Sequence, residues 1–206
     1  VKMVKTELVK RSPLRILEKS IHGGVGKGNV GVIASRKGTG KTACLVHIAT
    51  DQLFQGKHVI HVSFSGRTDH IISWYEDIFS EIARKRQLED AMAVHDEVIK
   101  QRVIMNFNQE GVNAAQLLRS LRAMVTEGQF QADVVIVDGY DFERGKPETL
   151  QALRGFAEEL GLEVWFSASV HRDDPRTDEN GVPALLSPYV DSVAVLITLQ
   201  PADGHI

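Results

Sequence analysis

Eight consecutive residues, Ser35-Arg36-Lys37-Gly38-Thr39-Gly40-Lys41-Thr42, hold the densest potential chemistry in the chain. Glycines at positions 38 and 40 let backbone N–H groups turn toward an anion without interference from a Cβ. A lysine followed at once by a hydroxyl residue adds a point charge for phosphate oxygens and a neutral oxygen for a divalent cation. The usual pattern of this kind opens on a glycine, and here that position is Ser35. A loop of this type works when a strand feeds it and a helix leaves it. The helix N-terminus then aims unpaired N–H groups and partial positive charge at the anion. Residues 29–34 (NVGVIA) read as a buried strand, and residues 41–55 as a helix that Gly56 stops. The expected ligand is a Mg-nucleotide. Arg36, Lys37, Gly38, Thr39, Gly40, Lys41, Thr42 and Ala43 cradle it, Lys41 reaches the β- and γ-phosphates, and Thr42 meets Mg²⁺.

A second candidate lies farther along. Val134-Val135-Ile136-Val137-Asp138 is an apolar run ending in an acid, which suits a buried strand delivering a carboxylate to Mg²⁺ through water. Many strands end in Asp, so the motif gains its force from following the glycine loop in the right chain order. Just beyond it, Asp141 and Glu143 lie in an acidic loop. Either can act as a base toward water, and the plainer reading is a solvated loop.

The elements that must position these residues alternate along the chain. Strands are expected at residues 58–64, 102–107, 133–138, 162–169 and 191–199, and helices at 69–84, 89–100, 114–126 and from Pro147 to the stop at Gly161. Alternating strands and helices imply an α/β fold whose mostly parallel sheet is covered on both faces. The whole chain, residues 1–206, reads as one domain, with a lead-in over residues 1–20 and a mobile polar loop over residues 171–187.

Composition narrows the class. A hydrophobic fraction of 43% with 25% charged residues is that of an ordinary soluble globule. A net charge of −3 gives no overall basic footprint for nucleic acid, leaving local patches open. No apolar run reaches the roughly 18 residues needed to span a bilayer, and no signal-peptide core is evident, so a cytoplasmic location is expected. The single cysteine, Cys44, permits no internal disulfide and suits a small buried hydrophobe better than a catalytic thiol. His58 and His61, three apart on a strand, face opposite sides and cannot share an ion.

With these motifs in place, the chain resembles the RecA superfamily of P-loop ATPases, in its KaiC-like and DnaB-like branch. Beyond the two nucleotide motifs, the resemblance rests on the glycine-rich lead-in Ile21-His22-Gly23-Gly24-Val25-Gly26-Lys27-Gly28 and on residues 55–64 (QGKHVIHVSF). It extends through residues 150–172 to Asp191-Ser192-Val193-Ala194-Val195-Leu196. It implies a RecA-like twisted sheet in which the strand at 162–169 separates the glycine-loop strand from the Asp138 strand. It further implies ATP with Mg²⁺, a γ-phosphate sensor at Ser169, and an arginine, Arg172 or Arg176, acting on a neighbour's nucleotide in a homo-oligomer, a ring of six being the model. Where the family carries a water-orienting glutamate, Phe64-Ser65-Gly66-Arg67 offers no carboxylate, and where its helicase branch has a glutamine stands Ser169. The expected function is a slow ATPase acting as a switch or assembly factor. The alternatives are a hydrolysis-deficient scaffold with an unknown protein partner, a DNA-handling motor, and a small-molecule kinase, whose arginine-rich lid is thin here.

Overall fold

The computed structural model describes residues 25–64, 67–107, 114–171, 173–174 and 176–199. Its centre is a six-stranded sheet in which every pairing is parallel. In chain order the strands and α-helices are β1 (Val30–Arg36), α1 (Lys41–Phe54), β2 (Val59–Ser63), α2 (Thr68–Arg86), α3 (Ala91–Lys100), β3 (Arg102–Asn106), α4 (Ala114–Arg122), β4 (Val134–Asp138), α5 (Pro147–Leu160), β5 (Glu163–Val170) and β6 (Val195–Thr198). Across the sheet the strands run β3-β2-β4-β5-β1-β6. β5 therefore lies between the glycine-loop strand and the Asp138 strand, the order that the resemblance implies.

The near-continuous Val and Ile runs of β1, β2 and β4 follow from burial on both faces. One face packs against α1, α2 and α3 through Leu45, Leu53, Ile71, Phe79, Val94 and Trp165. The other packs against α4 and α5 through Leu117, Leu121, Leu150, Leu153, Phe156 and Phe166. Gly31 makes one of these contacts possible: a Cβ there would fall 2.6 Å from the Trp165 ring on the paired strand. The Trp165 ring thus lies flush on β1, beneath α1.

Helix boundaries follow local chemistry. Pro147 begins α5 with Glu148 in its first turn, and Gly161, at φ 65°, ends it. α4 widens into a π-helical turn over Ala123–Glu127 before it stops. The segment expected to be a polar loop over 171–187 carries an antiparallel bridge between Thr177 and Pro183, and then a 3-10 helix over Ala184–Ser192. Leu186 and Tyr189 bury themselves under that helix, and Tyr189 donates a hydrogen bond to the Phe142 carbonyl at 2.7 Å. Asp191 and Ser192, expected at the start of the last strand, belong instead to this helix, and β6 begins at Val195. Polar composition hid two apolar anchors spaced three apart. Among the described residues no helix is long and apolar enough to cross a membrane.

Candidate functional site

The carboxyl ends of three neighbouring strands, β4, β5 and β1, converge beneath the first turn of α1. In a parallel sheet this edge collects the loops, and it is where ligands of such folds sit. The loop leaving β1 turns through Gly38 at φ 81° and Gly40 at φ 85°. A Cβ at either glycine would meet nothing within 4 Å, so glycine answers there to conformation and not to crowding. Gly40 is the N-cap of α1 and brings no side-chain cap. The first turn holds no acid either, whereas α2 and α5 carry Asp69 and Glu148 in theirs. The N–H groups opening α1 are thus not met by a carboxylate of its own first turn, a feature that α3 shares, and what sets α1 apart is the glycine loop that leads into it.

Lys41 is buried, and its ammonium spans the loop. It donates to the Ser35 carbonyl at 3.2 Å, the Ser35 hydroxyl at 3.3 Å and the Arg36 carbonyl at 3.0 Å. Burial pulls its pKa below the ordinary lysine value, and the nearby Asp138 carboxylate pushes the other way. Arg36, Lys37 and Gly38 are exposed, and Thr39 closes the turn through its N–H to the Arg36 carbonyl at 3.3 Å.

Thr42 and Asp138, 96 residues apart in sequence, meet directly. The Thr42 hydroxyl donates to Asp138 Oδ2 at 2.8 Å. A hydroxyl that spends its proton on a carboxylate keeps its lone pairs for a cation. This donor set, a neutral oxygen beside a carboxylate, suits a hard divalent ion such as Mg²⁺. The residues present therefore fit a magnesium ion held by Thr42, with Asp138 behind it.

Asp138 has a second partner that sequence reasoning missed. Val137 pairs with Phe166, so the next residues on β4 and β5, Asp138 and Ser167, stand side by side. The Ser167 hydroxyl donates to Asp138 Oδ1 at 2.6 Å and accepts the Gly139 N–H at 2.9 Å. The signal available in the sequence was period two: Ser167 shares a strand face with Ser169 and Trp165. Ser169, the expected sensor, is exposed at the strand end beside Ser35 of β1, so it does border the loop.

The remaining candidates separate from this cluster. Asp141 Oδ1 accepts the N–H groups of Glu143 at 3.0 Å and Arg144 at 3.2 Å, which ties that carboxylate into a turn. Glu143 and His171, both exposed, pair at 3.1 Å. Arg176 is clasped by Asp174 through two bonds of 2.7 Å, which holds the Asp174 carboxyl down at about 2. Arg172, Ser65 and Gly66 lie outside the described residues, as does the lead-in through Gly24. Arg67 pairs with Asp69 at 2.8 Å. Cys44 is half-buried, and burial raises its thiol pKa, which makes it a poor nucleophile. His58 lies ahead of β2, beside Asp133 and the Phe130 ring.

His61 lies at the centre of β2, fully buried. Its Nδ1 is 2.7 Å from the Tyr75 hydroxyl, while Nε2 has no hydrogen-bond partner among the described residues. Burial lowers its pKa to about 4, against an upward pull from Asp138 and with a further downward push from Arg102. Arg102 in turn stacks over the Tyr75 ring at 4.3 Å.

No family model and no curated protein matches this chain.

Proposed function

We propose that this chain is a RecA-like P-loop protein that binds a Mg-nucleotide, ATP in the first instance, and hydrolyses it slowly as a switch or assembly factor. The observation that carries the reading is the 2.8 Å bond from Thr42 to Asp138. It joins the hydroxyl that opens the glycine-loop helix to an acid at the end of a strand two positions away in the sheet. A chance polar contact does not require a glycine loop beside it with a buried lysine folded across that loop.

Each residue then has a task. Backbone N–H groups from Gly38 to Thr42 bind phosphate oxygens. Lys41 exchanges its bonds to neutral loop oxygens for charge-assisted bonds to phosphate, which are roughly twice as strong. Thr42 keeps its proton on Asp138 and offers lone pairs to magnesium. The ion, when bound, neutralises charge building on the phosphoryl oxygens.

A hydrolysis-deficient scaffold is the second reading, and one observation favours it. Asp69, the carboxylate nearest in sequence to the water-orienting position, is paired with Arg67, and Asp141, the first candidate to replace the missing base, is tied into its own turn.

The test is thermal stability with and without Mg-ATP and Mg-GTP. At a hundredfold excess over Kd, ligand binding to the folded state adds about 2.7 kcal/mol. For a domain of this size that is a rise of roughly 5–10 °C in Tm. Lys41→Ala should remove most of the rise. A wild-type protein indifferent to both nucleotides at millimolar concentration ends the proposal.

A further inference from the structure

Asp138 is held from two sides, and the two sides differ in kind. Thr42 belongs to the first turn of α1, directly after the glycine loop, and is only half-buried. Ser167 belongs to the interior of β5, is buried, and is fixed by the sheet. The direction of its hydrogen bonds is forced. The Gly139 N–H can only donate, so it takes a lone pair of the Ser167 oxygen. The single hydroxyl proton is then left for Asp138 Oδ1 at 2.6 Å. One serine therefore pins both the carboxylate and the first residue of the loop that follows it. With Oδ1 held inward, Oδ2 is the oxygen that faces Thr42 and the glycine loop.

We propose that Ser167 is a positioning residue for the divalent cation: it fixes the rotation of the Asp138 carboxylate so that Oδ2 stands ready for the ion that accompanies nucleotide. The inference rests on the Mg-nucleotide reading above and adds a residue to it. Removing the hydroxyl leaves a buried carboxylate oxygen and the Gly139 N–H without their partner at once. The carboxylate is then free to turn toward other donors, and the ion loses its preformed partner. Outer partners that orient metal-binding groups typically carry 10–100-fold in metal affinity.

The experiment titrates Mg²⁺ against a fixed, saturating concentration of ATP and reads the concentration giving half the Tm rise. In parallel, the affinity for a fluorescent ATP analogue is measured in EDTA. Ser167→Ala should raise the Mg²⁺ half-point by about 10–100-fold while leaving the EDTA affinity within twofold of wild type. Ser167→Cys, close in size and a weak donor, should shift the half-point in the same direction, and it provides the measurement if the alanine variant does not fold. A serine with a purely structural role lowers Tm in both variants and leaves the half-point unchanged, which overturns the inference while the nucleotide reading stands. An equal loss of affinity with and without Mg²⁺ also overturns it, because the serine then shapes the loop and not the ion. If wild type shows no Mg²⁺-dependent rise, both the inference and the reading beneath it fail.

Discussion

Two sets of acids and hydroxyls flank the end of β4, and they are built on opposite principles. Upstream, Asp138 is buried, with each carboxylate oxygen met by a hydroxyl from a different element. Downstream, Asp141 and Glu143 are exposed. Asp141 is tied to backbone only two and three residues away, and Glu143 to a histidine that is itself exposed. The first set is held by the sheet: its geometry persists because moving any member strands a buried polar group. The second is held by local turn chemistry and by an exposed pair contributing at most about 1 kcal/mol. A preorganised site belongs where the scaffold over-determines the side chains, and here that is the α1 face of the sheet at β4, β5 and β1.

The most forceful way to probe the buried side is acid, through His61. Its folded pKa, about 4, lies below the unfolded value of 6.5, so the unfolded chain binds the proton first. The stability linked to this histidine is complete above pH 6.5 and is lost as pH falls toward 4. At ~1.4 kcal/mol for each pH unit of difference, the loss is on the order of 3 kcal/mol. Urea unfolding at pH 7.5 and pH 4.5 measures it. In His61→Gln, which keeps a hydrogen-bonding group for Tyr75 and does not titrate, that share of the acid sensitivity should vanish. Equal acid sensitivity in the two proteins means that the α1–α2 face opens to water, and the contrast with the exposed loop collapses.

A smaller effect tests the other side. Asp141→Ala removes the acceptor of two turn N–H groups, which water then solvates, at a cost of about 1 kcal/mol. Asp141→Asn keeps an acceptor oxygen in the same place and should stay near wild type. Denaturant midpoints separate the two variants. A loss in Asp141→Asn as large as in Asp141→Ala shows that the charge, not the turn, is what matters there.

The element order and the parallel sheet were legible because they depend on patterns that repeat along the chain. These are apolar runs of strand length, glycine at turns, and helical spacing of Ile71, Tyr75, Ile78 and Ile82. The meeting of the glycine loop with Asp138 was expected instead from the pairing of two motifs and from the resemblance. Ser167 was not singled out, since its period-two spacing with Ser169 marks a shared strand face but names no partner. Its role comes from the register that sets it beside Asp138. The His61–Tyr75 bond also joins a strand to a helix 14 residues on, and no spacing rule announces it. The 3-10 helix at Ala184–Ser192 was hidden by the polar segment that precedes it.

The smallest expected effect is also the most discriminating for chemistry. Positioned bases contribute typically 10²–10⁴-fold, and the stretch Ser65-Gly66-Arg67 supplies no carboxylate. Arg67 cannot serve, because guanidinium stays protonated. Turnover is therefore expected at least ~10²-fold below that of a motor possessing such a base. Glu143 is the candidate to replace it, because Asp141 is occupied by its turn while Glu143, among the described residues, is held by an exposed pair with His171. An exposed pair of this kind makes Glu143→Gln nearly silent in stability, within about 0.5 kcal/mol. It should be silent in single-turnover hydrolysis too, since among the described residues its carboxylate is held by exposed His171 and not by the sheet. Ser65→Glu, which places a carboxylate where the resemblance expects one, should raise the rate. If Glu143→Gln instead abolishes hydrolysis while leaving Tm and the Mg-ATP shift intact, the exposed loop contributes the base. The line between a built site and a solvated loop must then be redrawn on the far side of residue 143.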